Sequence, residues 1–155
     1  MCSSDLPNIP NLGVHLWRIA ACPRSRSSAT RVGDGRFRIS PLGHDTPLYQ
    51  RPEPEATISH LAEPRNVPLP MGRRYLKSQL DRLYIDPSQE NPDPSGSLLI
   101  WVKGSPDPVP RAKIRVCHLG DHAGGWGHTP PAGDGVAVDP VLGRIALAAS
   151  YGDSD

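Results

Sequence analysis

The residue types most capable of chemistry in this chain of 155 residues fall close together in one stretch of sequence. They are Cys117, His118, Asp121, His122 and His128. Cysteine and histidine bind zinc well, and a site needs four such ligands, or three and a water molecule. His118 and His122 have helical spacing, but Gly120 between them and the glycines that follow disfavour a helix. We therefore predict a polar loop here, with no metal centre, no cofactor and no catalytic residue.

A tryptophan lies in the same glycine-rich stretch. Trp126 has glycines at 124, 125 and 127, so its ring is a candidate for contact with a ligand or a partner. Packing of the ring within its own loop is the alternative. Trp17 and Trp101 lie in strand-like runs, and for them we predict core packing.

The composition limits the fold that positions these residues. The chain has 19 prolines and 15 glycines, which together make 34 of 155 residues. Proline removes a backbone donor and glycine weakens helices, so a helical bundle is excluded. Three widely spaced cysteines do not form a disulfide framework. We predict a mainly β fold with short antiparallel strands, one amphipathic helix and long Pro-rich irregular segments.

Alternation of polar and apolar residues predicts the strands. Asp34-Gly35 is a strong turn pair and predicts a hairpin within 31–40, and the turn residues at 139–143 predict a second hairpin. The run 98–103 is apolar on both faces, which is typical of a central strand. The complete set of predicted strand regions is 14–21, 31–40, 98–103, 113–119, 136–138 and 144–148.

Two adjoining segments connect these strands. Seven prolines between 41 and 70 exclude long regular elements, so we expect an extended segment that lies across other chains or other parts of a longer parent chain. In 71–84 an apolar stripe predicts an amphipathic helix. The stripe consists of Leu76, Leu80, Leu83 and Tyr84. The basic residues of the helix, Arg73 and Arg82 among them, are expected to form a solvated face.

The sequence at both ends suggests a fragment. Residues 1–6 (MCSSDL) match the translation of a sequencing-adapter end, so we expect them to be non-native. We expect 7–148 to be one β-rich module of a longer chain, and 149–155 to be a truncated end. No signal peptide and no membrane-spanning apolar run is apparent. A net charge of +1 argues against electrostatic binding of nucleic acid.

Four stretches of the chain resemble a segment of large bacterial proteins encoded in gene clusters for phage-tail-like particles, the contractile injection systems. The stretches are 8–19 (NIPNLGVHLWRI), 36–55 (RFRISPLGHDTPLYQRPEPE), 58–74 (ISHLAEPRNVPLPMGRR) and 136–147 (VAVDPVLGRIAL). The resemblance covers most of 7–148 and implies a structural or assembly role near the tail or baseplate. It supplies no catalytic residue.

Two functions from different classes are consistent with these observations. The first is a non-enzymatic structural module whose partners are other protein subunits or further parts of the parent chain. Such a module would be cytoplasmic or assembled in the particle. The alternative is a small β-domain that binds carbohydrate or cell wall, with or without hydrolytic or metal-dependent activity. In that case Trp126 and the His-rich loop would line the site.

Overall fold

A computed structural model of the chain describes residues 27–57, 59, 61–86, 96–130, 133 and 135–151. Within these residues lie seven short strands and two short α-helices. The strands are β1 (Thr30–Gly33), β2 (Arg36–Arg38), β3 (Ile114–Val116), β4 (Asp121–His122), β5 (Gly125–Trp126), β6 (Val136–Asp139) and β7 (Arg144–Leu147). The helices are α1 (Arg73–Ser78) and α2 (Leu80–Leu83). The predicted fold class, mainly β with short antiparallel strands and few helices, is confirmed.

Five strands form the central sheet in the order β1-β2-β7-β6-β3, and β4 pairs with β5 in a separate ribbon. Neighbouring strands are antiparallel except β3 and β6, which run parallel. Both predicted hairpins are present, β1–β2 turning at Asp34-Gly35 and β6–β7 turning at 140–143. Gly143 has φ +62, and a Cβ there would overlap the Thr46 carbonyl oxygen. Glycine is therefore required at this turn.

The central hairpin β6–β7 is buried on both faces of the sheet. Val136, Val138 and Ile145 face the larger core, which the two helices cover. Ala137 and Ala146 lie opposite each other on the other face, where a smaller cluster forms. Because side chains alternate along a strand, this arrangement explains why 136–138 and 144–148 read as nearly continuous apolar runs.

The helical region is shorter than the predicted helix 71–84 and is divided in two. The break falls at Gln79, whose backbone angles are φ −116 and ψ 24. After α2 the chain becomes extended at Tyr84, and the carbonyl of Leu83 accepts hydrogen bonds from the backbone N–H groups of Ser97 (2.8 Å) and Leu98 (3.0 Å). These bonds take the place of a further helical turn. The predicted apolar stripe nevertheless faces the core, with three of its four residues buried.

The strand predicted at 98–103 is absent, and that prediction was wrong. Leu98 forms a single bridge to Tyr84, and the following residues pair with irregular backbone instead of the sheet. The prediction that Trp101 packs in the core was also wrong, since 41% of it is exposed. Only Ile100 of the run is buried, while Trp101 beside it is exposed. Apolar composition alone does not reveal this irregular burial.

The Pro-rich segment 41–70 doubles back on itself. The backbone N–H of Gln50 donates to the Leu69 carbonyl (3.0 Å), and that of Met71 donates to the Leu48 carbonyl (2.7 Å). Leu48 also donates to the carbonyl of Pro140 (2.8 Å), in the turn between β6 and β7. The segment is thus fixed against the central sheet, and its expected contact with other chains stays a prediction.

Several predictions fall on other parts of the sequence. The strand at 14–21 with Trp17, the expected non-native residues 1–6 and the last four residues lie outside the described residues. At the far end, Ala149–Tyr151 form a 3₁₀ turn. In the described ranges, the helices are too short and too polar to span a bilayer.

Candidate functional site

The stretch 120–135, predicted to be a loop, contains the β4–β5 ribbon. It turns at Ala123 and Gly124, the latter with φ +85, and so places Trp126 beside Asp121 in the register of the pair. The half-buried Trp126 packs against the cluster that contains Ala137 and Ala146. Small side chains on this face of the sheet leave room for the indole ring.

The five candidate metal ligands do not converge on one point. In the part of the chain that the structure describes, no three His, Cys, Asp or Glu side chains gather in a metal-binding arrangement. Cys117 is half-buried against the smaller cluster, and His122 is exposed on β4. Burial and then the negative charge of Asp139 raise the pKa of the Cys117 thiol. A raised pKa makes the thiolate scarce, and the thiolate is both the nucleophile and the metal ligand.

The other two histidines are connected through the backbone. His128 Nδ1 lies 2.7 Å from the carbonyl oxygen of His118, to which it donates in the tautomer protonated at that nitrogen. The ring of His118, largely exposed, has its own Nδ1 at 3.5 Å from Oδ2 of Asp139. The structure therefore brings His118 and His128 together, and links them to a buried carboxylate that the sequence analysis had assigned only to a turn.

Asp139 is the centre of the first of two polar networks. Its side chain is fully buried, and its two oxygens accept from Nε and Nη2 of Arg73, both at 2.9 Å. It also accepts from the backbone N–H groups of Leu119 (2.8 Å) and Val141 (3.1 Å). Burial alone would raise the pKa of Asp139, but the bonds from Arg73 and Leu119 lower it below its usual value. The carboxylate is ionised and fully engaged in holding a loop, a turn and α1 together.

Arg144, at the other end of the same turn, is the centre of the second network. It is 2% exposed and donates through two nitrogens to Asp45 (2.8 and 2.6 Å) and through Nη1 to Asp121 (2.8 Å). It donates further to the Leu119 carbonyl (2.8 Å), and its guanidinium lies 5.0 Å from the ring centroid of Trp126. Hydrogen bonds from Arg144 are the main cause of the lowered pKa of both aspartates.

A third network fastens the Pro-rich segment to the helices. The buried Gln50 donates to the Val67 carbonyl (2.9 Å) and accepts from the hydroxyl of Tyr75 (2.8 Å). Arg82 donates to that hydroxyl (2.7 Å) and forms an ion pair with Glu53. Desolvation lowers the pKa of Arg82, but the bond to Glu53 and the neighbouring charges raise it overall. Of the basic residues expected on a solvated face, Arg74 and Lys77 are exposed. Arg73 and Arg82 are half-buried and ion-paired instead.

An open groove lies between the tips of the β1–β2 hairpin and the β4–β5 ribbon. Its volume is ≈ 270 Å³, and Arg36, Gly125, Trp126 and Leu147 are among the residues that line it. Trp126, the aromatic candidate from the sequence, therefore borders a concave surface, although Arg144 covers one face of its ring.

Comparison of this chain with protein-family models, with curated proteins and with solved structures finds no match. The site is therefore interpreted from its own geometry.

The sequence analysis missed the residues that organise the polar networks, although one signal for them was present. Asp139 and Arg144 are the two charged residues inside the otherwise apolar run 136–148, where they flank its turn. Charged residues inside a run that must be buried require partners, because an unpaired buried charge is very costly. That signal marks Asp139 and Arg144 as paired. Their partners, however, come from as far away as Asp45, 99 residues distant in sequence.

Proposed function

We propose that this chain is a non-enzymatic structural module that takes part in the assembly of a phage-tail-like particle. One observation about segment 41–70 carries the proposal. Hydrogen bonds hold the segment against the sheet, while some of its large apolar side chains face solvent. The assignment to a phage-tail-like particle rests on the sequence resemblance. The partners would be other subunits or further parts of the parent chain.

The apolar side chains on this segment support a docking role. Four of the exposed large apolar residues in the described ranges belong to it, and the most exposed are Leu61 (88%) and Leu42 (78%). The other two are Val67 and Leu69. A partner that buries a leucine side chain completely gains about 1.5–3 kcal/mol. Because hydrogen bonds already hold the described backbone of the segment, a partner that binds there needs to fix few further backbone angles.

The ion pairs support a structural role for the acidic side chains. Asp139, Asp121 and Glu53 are each bound to an arginine. The pKa of Asp139 and that of Asp121 are lowered by these bonds, away from the neutral range in which a general acid or base works best. Their hydrogen bonds connect loops, turns and helices, which is a structural role.

The position of Trp126 favours this proposal over the carbohydrate-binding alternative. A sugar-binding tryptophan stacks a broadly exposed ring on the sugar. One face of Trp126 is covered by the guanidinium of Arg144, and the ring is half-buried against the sheet.

Co-sedimentation with the particle tests the proposal. The protein that carries this chain is given an epitope tag in its bacterial host, and particles from lysed cells are separated by ultracentrifugation. We expect the tagged protein in the particle fraction. The variant Leu42→Asp with Leu61→Asp should reduce its amount there by at least about tenfold, because burial of two leucines is lost and two charges would be desolvated.

The matched control is Ala112→Asp, which adds a charge at an exposed position outside the segment. This variant should sediment as the unaltered protein does. The proposal is refuted if the tagged protein stays in the supernatant while particles form. It is refuted equally if the leucine variant and the alanine variant sediment alike.

A further inference from the structure

The groove between the two hairpin tips contains a guanidinium group held in place by glycines. A Cβ on Gly33 would lie 2.9 Å from Nε and Nη2 of Arg36, and a Cβ on Gly125 would lie 3.1 Å from Nη1. The guanidinium of the half-buried Arg36 therefore packs against the backbone of both hairpins. A side chain at Gly33 would push it aside, and one at Gly125 would crowd it. In this position its N–H groups face the groove.

Arg36 differs from the other arginines of its hairpin in having no partner. Arg31 faces Asp34 at 3.4 Å, and Arg38 is paired with Asp45 at 3.0 Å. Across the described ranges, the guanidinium of Arg36 has no ion pair and no hydrogen-bond acceptor. A planar fork of donors held in a groove matches a carboxylate, which accepts two parallel N–H···O bonds.

The groove is small and open to solvent. Its volume of ≈ 270 Å³ lies below the roughly 300–1,000 Å³ typical of small-molecule pockets. Trp126 and Ala146, which lie on the same face of the sheet, supply an apolar wall that would contact the methylene groups of a side chain. At the rim stands the exposed carboxylate of Asp34, which would weaken the binding of an anion. The unpaired positive charge of Arg36 and the small volume of the groove together therefore point to one acidic side chain as the ligand.

We propose that this groove binds a glutamate or aspartate side chain from an acidic segment of a partner subunit, with Arg36 as the carboxylate ligand and Trp126 as the apolar wall. The proposal rests on the proposed assembly function for the source of the segment. The binding chemistry does not depend on that function and can be measured without the particle.

The test is a titration of the ¹⁵N-labelled chain, followed through the side-chain N–H signals of Arg36 and Trp126. The probes are two acetylated and amidated peptides, GGEGG and its neutral isostere GGQGG. We expect saturable shifts of both signals with GGEGG, with a dissociation constant of about 1 mM, and none with GGQGG. Arg36→Gln should weaken binding by at least about tenfold, since hydrogen bonds to charged groups carry most of the affinity.

Arg74→Gln is the matched control, because Arg74 is an exposed arginine outside the groove, and it should bind as the unaltered chain does. Gly33→Ala displaces the guanidinium without removing it, so it tests the site if Arg36→Gln fails to fold, and it should weaken binding too. Asp34→Asn should tighten binding by about twofold, because it removes a nearby negative charge.

The outcomes separate this proposal from the assembly function. Equal shifts with both peptides, or equal losses in Arg36→Gln and Arg74→Gln, would overturn the site. Tighter binding of glucuronate than of GGEGG would overturn the peptide assignment in favour of an acidic sugar. Binding of GGEGG by a protein that does not sediment with particles would keep the site and refute the assembly role. A protein that sediments with particles but does not bind GGEGG would keep the assembly role and refute the site.

Discussion

The isosteric substitution Asp139→Asn is expected to destabilise the fold far more than Asp121→Asn. Both carboxylates accept hydrogen bonds from an arginine, so the two variants remove the same kind of interaction. The burial of the carboxylates differs completely. The side chain of Asp139 is 0% exposed and that of Asp121 is 78% exposed. The pair of variants therefore compares a buried carboxylate, which also accepts backbone hydrogen bonds, with an exposed one.

The hydrogen bonds of Asp139 set the size of the effect. Oδ2 accepts from Arg73 and from the buried N–H of Leu119, while Oδ1 accepts from Arg73 and from the N–H of Val141. In asparagine an NH₂ group replaces one of these oxygens. The two N–H donors that bonded to that oxygen then face another donor and lose their acceptor. Breaking one partner of a buried charged pair costs about 3–5 kcal/mol. Domains have unfolding free energies of about 5–15 kcal/mol, so this variant should lose a large part of its stability.

Urea unfolding at neutral pH, followed by circular dichroism, measures both variants. We expect the unfolding free energy of Asp139→Asn to fall by about 3–5 kcal/mol. Asp121→Asn should remain close to the unaltered chain, because water solvates the exposed side chain at 121 and Asp45 still pairs with Arg144. Equal losses in the two variants would refute the reasoning, since burial would then not determine the cost.

The same pair of variants predicts a dependence on pH. The pKa of Asp139 is lowered in the folded chain, whereas an unfolded aspartate titrates near about 3.9. The carboxylate thus contributes stability that is present above about pH 3.9 and is lost as the pH falls through the folded pKa. The unaltered chain should lose stability on acidification below about pH 4, and Asp139→Asn should lose less over that interval. A parallel decline in both would contradict this assignment.

Two further substitutions test the turn and the core. Gly143→Ala should lower the unfolding free energy by more than about 2 kcal/mol, because the turn has φ +62 and the new Cβ meets the Thr46 carbonyl. Its control, Gly124→Ala, also has a positive φ but open space around it, so it should cost only about 1 kcal/mol in the same urea assay. Tyr84→Phe should cost about 1–2 kcal/mol, since the buried hydroxyl donates to the Val109 carbonyl. Burial raises the pKa of Tyr84 to about 12, so an alkaline absorbance titration of this variant should lose a phenol that ionises near that pH.

Local turn chemistry made part of the fold predictable from the sequence. Asp34-Gly35 and the residues at 139–143 predicted both hairpins of the sheet, because such turns depend on a few neighbouring residues. The predictions for 71–84 and 98–103 were less accurate. In these segments, hydrogen bonds to distant backbone groups decide whether the chain is helical, extended or irregular. The bond from the Leu98 N–H to the Leu83 carbonyl is one of them. Apolar periodicity reports which residues are buried, but it does not report these partners.

Long-range contacts limited what could be predicted about the site. The histidines and Cys117 attracted attention because of their residue type, yet Asp139 and Arg144 form the networks that connect the loops. A turn motif with charged ends indicates that partners exist. It does not indicate that one partner is Asp45 and another is Arg73, since these lie in other segments of the chain.

The two networks explain how a chain with little aromatic core fixes long irregular segments. Aromatic residues make up only 5% of the chain. The single turn between β6 and β7 instead places Asp139 and Arg144 in the interior, where each joins backbone or side-chain groups from distant segments. A buried ion pair adds little net stability compared with an apolar contact, but it is satisfied in only one geometry. Under the proposed assembly function, a surface that docks against other subunits needs its loops in specific places, and these pairs are suited to provide that placement.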